Sequence, residues 1–198
     1  QAIATAKRLG SQVEAFDVRP EVKEQVEPLG AKFVEVASES DDGVGEGGYA
    51  KETSEDYKQK QQQLIKEHIS RADMVITTAL IPGRKAPILI GKDVVELMKP
   101  GSVIMDLAAE NGGNCEITKQ DELFTHHGVI IDGTSNIAAT MPVHASELYA
   151  KNILALVEHM TKEKSLNFDM NDEIISGSTF THHGNITHEP TNNIMKES

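Results

Sequence analysis

Cysteine, tryptophan and positive charge are all scarce in this chain of 198 residues. With one cysteine, Cys115, no internal disulfide can form, and its sequence neighbours include no Lys, Arg or His that would activate the thiol, so it reads as a spectator. Lys and Arg number 19 against 31 Asp and Glu, a formal net charge of −12. Such a surface repels phosphate backbones and anionic headgroups, which excludes nucleic acid as an expected partner. No run of about 18 apolar residues is present, so direct insertion into a membrane is not expected. No internal repeat or signal peptide is apparent, and because the sequence opens inside a helical pattern the latter carries no information about a leader.

What is present alternates between helical and extended stretches. Ile3 with Ala6 or Leu9 lines one helix face, Gly10 stops the helix, and Val13 to Phe16 alternates into a strand that ends at Asp17. Pro20 opens a second helix with Val22, Val26 and Leu29 on one face, ended by Gly30, and residues 32–36 read as a strand. After a long aperiodic loop over 37–53, a helix capped by Thr53 or Ser54 leads to a short apolar strand over 74–77. The alternation continues with a helix over 91–98, strands at 103–106 and 129–131, and a long helix over about 144–160. Strands alternating with helices predict α/β architecture, a Rossmann-like doubly wound parallel sheet. Beyond residue 160, residues 173–187 read as two strands around a His183-Gly184-Asn185 turn, a hairpin appendage followed by a frayed polar tail after Pro190.

Ligands of open parallel sheets bind at the carboxyl ends of the strands, and the unusual residues fall there: Asp17-Val18-Arg19, the loop 37–53, Thr78 to Gly83, and Leu107 to Asn114. In a dinucleotide-binding βαβ unit the acid ending the second strand accepts from the adenosine ribose hydroxyls, favouring NAD over NADP. The first strand and the Gly-rich phosphate loop of such a unit would precede Gln1; equally, residues 1–17 read as an ordinary helix, turn and strand with a solvated terminal acid. The loop 37–53 is longer than the roughly 12–15 residues of an ordinary connection. Tyr49 after Gly47-Gly48 suits a lid over bound nucleotide, while a disordered acidic loop is the plainer alternative. The adjacent pairs His126-His127 and His182-His183 should splay to opposite faces and make poor metal ligands. No nucleophile and base pair can be assembled, and hydride passing directly between two nicotinamides requires none, only proximity and orientation.

The residues Ala15 to Gln25, Gly47 to Glu52, Thr77 to Gly83, Gly101 to Ala108, Gly112 to Glu116 and Ala145 to Ile153, in this order and spacing, resemble the NAD(H)-binding soluble component of proton-translocating nicotinamide nucleotide transhydrogenases. The resemblance implies that Asp17, Val18 and Arg19 bind the adenosine end of NAD(H). It also implies that Gly48 and Tyr49 belong to a closing loop, that Thr78, Ala79 and Leu80 line the nicotinamide side, and that Gln61 contacts nucleotide. It further implies a homodimer that docks an NADP(H)-binding domain and passes hydride from NADH to NADP⁺, coupled to proton movement through a membrane domain. Such a component lies on the cytoplasmic or mitochondrial matrix side.

On this reading residues 1–142 are an NAD(H)-binding domain lacking its first strand and Gly-rich loop. Residues 143–198, a long helix, hairpin and tail, belong to an absent first subdomain, and the fragment is inactive alone. Alanine dehydrogenases share the fold and the Leu80-Ile-Pro-Gly83 signature, but they usually carry Asp where Glu110 stands and lack the run Gly112 to Glu116. A non-catalytic NAD-binding module is the remaining alternative. After Asn136 the family commonly continues Leu-Pro-Ser-Arg, where this chain has Ile137-Ala-Ala-Thr140, so the resemblance assigns no contact to this loop.

Overall fold

The computed structural model describes residues 1–35, 55–81, 83–162 and 164–197, and the chain divides into two compact units, Gln1–Ser135 and Asn136–Ser198. In the first unit, α1 (Ala2–Arg8) passes through Gly10 at φ +85° into β1 (Glu14–Phe16), which pairs in parallel with β2 (Lys32–Val34). The single helix expected between these strands is broken. A 3-10 turn over Pro20–Val22, α2 (Lys23–Val26) and a second 3-10 turn over Glu27–Leu29 replace it. Pro28 explains the break, because it has no N–H to donate and its ring collides with the carbonyl four residues earlier in a continuing α-helix. Val26, Ala31 and Phe33 make a small core here, with Ile3, Val13, Ala15 and Val22 packed against it.

A second sheet holds the main core. α3 (Glu55–Arg71) leads into β3 (Met74–Thr77), α4 (Lys92–Val95) into β4 (Val103–Asp106), and a hairpin follows from β5 (Leu123–His126) and β6 (Val129–Asp132). The order is β3-β4-β6-β5, with β3, β4 and β6 parallel and β5 antiparallel at the edge. α4 keeps one turn of the longer helix expected over 91–98, while Val94, Val95 and Met98 still reach the core. There they meet Ile90, Ile104, Val129 and Ile131. Ile90, Ile104 and Ile131 are fully buried, each side chain contributing about 1.5–3 kcal/mol by leaving water. Among the described residues no ladder joins the β1–β2 pair to this sheet.

The second unit begins with a 3-10 turn at Ile137–Thr140 and α5 (Pro142–Met160), where Pro142 fits the first turn. A short hairpin of β7 (Thr161–Lys162) and β8 (Ser165–Leu166) follows. The expected extended hairpin over 173–187 is only partly present. Its first half is α6 (Glu173–Ser178), and only β9 (Thr181–His182) and β10 (Asn185–Ile186) pair. The expected frayed tail is α7 (Glu189–Glu197), with Pro190 in its first turn. The architecture is therefore α/β with a parallel-dominated sheet, a long C-terminal helix and a hairpin. Among the described residues no helix is long and apolar enough to cross a membrane.

Candidate functional site

The polar residues at the carboxyl ends of β1, β3 and β4 are arranged by hydrogen bonds rather than left to solvent. Asp17, just past β1, is half-buried, its side chain 26% exposed. Its Oδ1 accepts from the Arg19 backbone N–H and Nε, both at 2.9 Å, and its Oδ2 accepts from Arg19 Nη2 at 2.9 Å. A carboxylate offers about four lone-pair sites, so Oδ2 keeps an acceptor position for a further donor. Burial pushes the Asp17 carboxyl up, but the side-chain and backbone hydrogen bonds and the charge of Arg19 prevail and hold it below the usual carboxylate range. The acid is thus an ionised acceptor at neutral pH, fixed in direction by a chelating arginine. Val18, between the two, is half-buried.

The loop after β3 is clamped from behind. Asn114 Oδ1 accepts from Ala79 N–H at 2.9 Å, while its Nδ2 donates to the carbonyls of Ala79 at 2.9 Å and Pro87 at 2.8 Å. This amide does for Ala79 what a neighbouring strand would do, fixing both backbone polar groups and leaving Thr78 and Leu80 exposed. Asn114 is itself set by Asp106, the fully buried last residue of β4. Asp106 Oδ1 accepts from Thr77 Oγ1 at 3.0 Å and Ala108 N–H at 3.1 Å. Its Oδ2 accepts from Asn114 N–H at 2.8 Å, Cys115 N–H at 3.0 Å and Thr118 Oγ1 at 2.7 Å. Gly113 sits against this carboxylate at φ +81°, and a Cβ there would lie 2.8 Å from Asp106 Oδ2. Asp106 and Asn114 carry the geometry of the loop, and neither was assigned a role from sequence. The signal available was an acid closing an apolar strand, followed by Gly112-Gly-Asn114.

At the other end of the strands, the last turn of α3 ties two starts together. Glu14, first in β1, pairs through Oε2 with His68 Nδ1 at 2.7 Å and accepts from Arg71 Nη2 at 3.4 Å, shortly before β3 begins at Met74. The hydrogen bond to His68 outweighs desolvation and, with the charges of His68 and Arg71, holds the Glu14 carboxyl below its usual range. Gln61 lies on α3, half-buried, and no described contact links it to Asp17 or to Thr78–Leu80. Gly48 and Tyr49 lie outside the described residues. Cys115 is fully buried and burial pushes its thiol up, so it is no nucleophile. The expectation for both histidine pairs is overturned: the ring centroids of His182 and His183 stand 4.0 Å apart, and His126 and His127 do not splay. Their Nε2 atoms stand 3.2 and 3.9 Å from the same Glu96 oxygen, because His127 is not in the strand but in a turn at φ +48°.

Residues 1–189 match the family described as alanine dehydrogenase/PNT, C-terminal domain. The chain is 47% identical over 191 residues to an NAD(P) transhydrogenase subunit alpha protein of Rhodospirillum rubrum, covering 95% of this chain and 50% of that protein. Among solved structures, a transhydrogenase from Sinorhizobium meliloti matches with a TM-score of 0.72 and 45% identity, over 94% of this chain and 48% of that one. Similarity to alanine dehydrogenase of Bacillus subtilis is shorter, 40% identity over 83 residues, 39% of this chain and 22% of that protein. The chain spans about half the length of the transhydrogenase relative from Rhodospirillum rubrum.

Proposed function

The chain belongs to the alanine dehydrogenase/PNT C-terminal domain family, and from that premise we propose that it is the NAD(H)-binding part of a proton-translocating NAD(P) transhydrogenase. Identity of 47% to a transhydrogenase alpha subunit along 95% of the chain favours this reading over alanine dehydrogenase, where identity is 40% over 39% of the chain in one relative and 31% over 63% in another. The observation that carries the site is the half-buried Asp17 carboxylate at the end of β1, fixed by Arg19 and retaining an acceptor position. That chemistry fits the vicinal hydroxyls of an adenosine ribose and repels a 2′-phosphate, which suits NAD(H) rather than NADP(H).

When bound, NAD(H) supplies the hydride chemistry itself. The work of this chain is to bind and orient. Asp17 accepts from the ribose, with Val18 and Arg19 shaping the adenosine end. Thr78, Ala79 and Leu80, with both backbone groups of Ala79 held by Asn114, line the nicotinamide side, and Gly48 and Tyr49 close over it. Gln61 adds a nucleotide contact. No acid or base is required of this rim, because hydride moving between two nicotinamides leaves no proton on the protein. Among the described residues of the rim, Asp17 is engaged by Arg19 and Asp106 is buried with five donors around it. NADP(H) sits on a partner domain, and proton movement belongs to a membrane domain of the same enzyme, on whose cytoplasmic or matrix side a homodimer of this component docks.

Among the described residues β1 pairs only with β2, and β3 only with β4. Each of β1 and β3 therefore keeps one edge without a described strand partner. Residues 143–198 would return to a first subdomain, and the 198 residues alone would not turn over. The test uses the whole protein with its NADP(H)-binding domain, which should reduce an NADP⁺ analogue with NADH. NADH formation from NAD⁺ and alanine as sole substrates would instead assign alanine dehydrogenase. NADH binding without either reaction would assign a non-catalytic module.

A further inference from the structure

We propose that Glu96, His126 and His127 form a binding site for a borderline divalent cation of the Zn²⁺ class, at the end of the sheet opposite the nucleotide rim. His126 closes β5, paired with Val129 at the start of β6. The two residues between them, His127 at φ +48° and Gly128 at φ +80°, are both left-handed, as a two-residue hairpin turn requires. In a continuous strand, adjacent side chains point to opposite faces. The left-handed step at His127 cancels that alternation and turns both imidazoles toward Glu96, with ring centroids 5.0 Å apart.

The turn is not free to relax. Gly101 N–H donates to the Gly128 carbonyl at 2.7 Å. A Cβ on residue 128 would come 2.9 Å from Pro100 Cβ, so the backbone lies tight against the Lys99-Pro100-Gly101 turn. Glu96 directly follows α4, which is anchored by buried Val94 and Val95. The carboxylate and the two imidazoles therefore come from rigid places. One ligand atom from each lies within 4.8 Å of the other two. Tetrahedral zinc with bonds of about 2.0–2.1 Å holds its ligand atoms about 3.4 Å apart, a distance these side chains reach by small rotations.

Two imidazoles and one carboxylate are a borderline donor set, suited to Zn²⁺ and its neighbours rather than to Mg²⁺ or Ca²⁺. Three protein ligands leave a fourth position for water. The Lys92 ammonium, 3.8 Å from Glu96 Oε1, is the competitor, and it is exposed enough to swing away. Bound metal would join the end of α4 to the β5–β6 turn and stabilise the first unit by mass action. The molecule contains its own control. His183 and Gly184, at φ +47° and +79°, form a second turn of the same kind with His182 and His183 ring centroids 4.0 Å apart. Among the described residues that pair has no carboxylate completing a ligand group.

The whole protein is titrated with Zn²⁺ against a chromophoric chelator. One Zn²⁺ should bind in preference to any at His182-His183, with excess Mg²⁺ failing to displace it. Loss of an outer-shell partner at a metal site typically costs about 10–100-fold in affinity, so removal of a ligand should cost at least about tenfold. His127→Asn, which keeps a residue tolerant of the left-handed turn, and Glu96→Gln, an exposed change, should each show that loss with an unaltered urea midpoint in the absence of metal. The double variant His182→Gln, His183→Asn should bind as the parent does. Zn²⁺ should also shift the imidazole resonances of His126 and His127 before those of the other pair. Failure of the parent to bind, parent-like affinity in His127→Asn and Glu96→Gln, or a loss that follows the His182-His183 variant would each overturn the site.

Discussion

Asp106 is the residue on which the arrangement of the loop after β3 depends. Five donors converge on its buried carboxylate, three of them backbone N–H groups that have no water to turn to. Asp106→Asn replaces one acceptor oxygen by a donor and leaves backbone N–H groups unpaired, so it should cost about 3 kcal/mol or more. Urea denaturation reads this as a lower midpoint at an unchanged slope, and a parent-like midpoint would contradict the role. The role proposed for Asp17 is on the ligand instead. Asp17→Asn keeps the size but loses the charged acceptor and should weaken NADH binding by about 1.5–3 kcal/mol, measured by titration of the whole protein. Unchanged affinity would remove its proposed contact with ribose. The candidate role of Asp17 was legible in the sequence because an acid at a strand end is a local pattern. The roles of Asp106 and Asn114 were not, because their partners Thr77, Ala79 and Pro87 are 27 to 35 positions distant.

At the scale of elements, local signals competed and the structure shows which prevailed. Ile174-Ile175 favours a strand, yet Asp172 accepts from the N–H groups of both at 2.9 and 3.0 Å and starts α6. The backbone hydrogen bond from Ile175 is the largest influence on the Asp172 carboxyl, and with the His159 contact it holds the group below its usual range. Its folded value lies below its unfolded one, so its contribution is present above the ordinary carboxylate range and is lost as pH falls through the folded value. Asp172→Ala should therefore lower the urea midpoint at neutral pH, with the difference shrinking below about pH 4. A difference independent of pH would show that the charge is irrelevant to the cap. Strand β5 is not marked in the sequence because Leu123-Phe-Thr-His126 is an edge strand with polar residues at half its positions, unlike the apolar runs of β3, β4 and β6, and the apolar spacing after Pro20 overstates the helix because Pro28 interrupts it.

For the whole molecule, the succession of helices and parallel strands is legible in the sequence, because hydrophobic period and turn residues are written locally. The division into two units and the separation of β1–β2 from the larger sheet are not local properties. Neither is the convergence of His126 and His127 on Glu96, which depends on one left-handed residue and a turn braced by Pro100. The net charge of −12 disfavours anionic ligands at long range, so the proposed NAD(H) site depends on local groups such as the paired Asp17 and Arg19. The most direct test is a crystal structure of the whole protein with NADH bound. The ribose hydroxyls of the adenosine should lie within about 3.2 Å of the Asp17 carboxylate, with the nicotinamide against Thr78–Leu80. A dinucleotide bound away from both, or lying in the reverse direction, would contradict the proposed site.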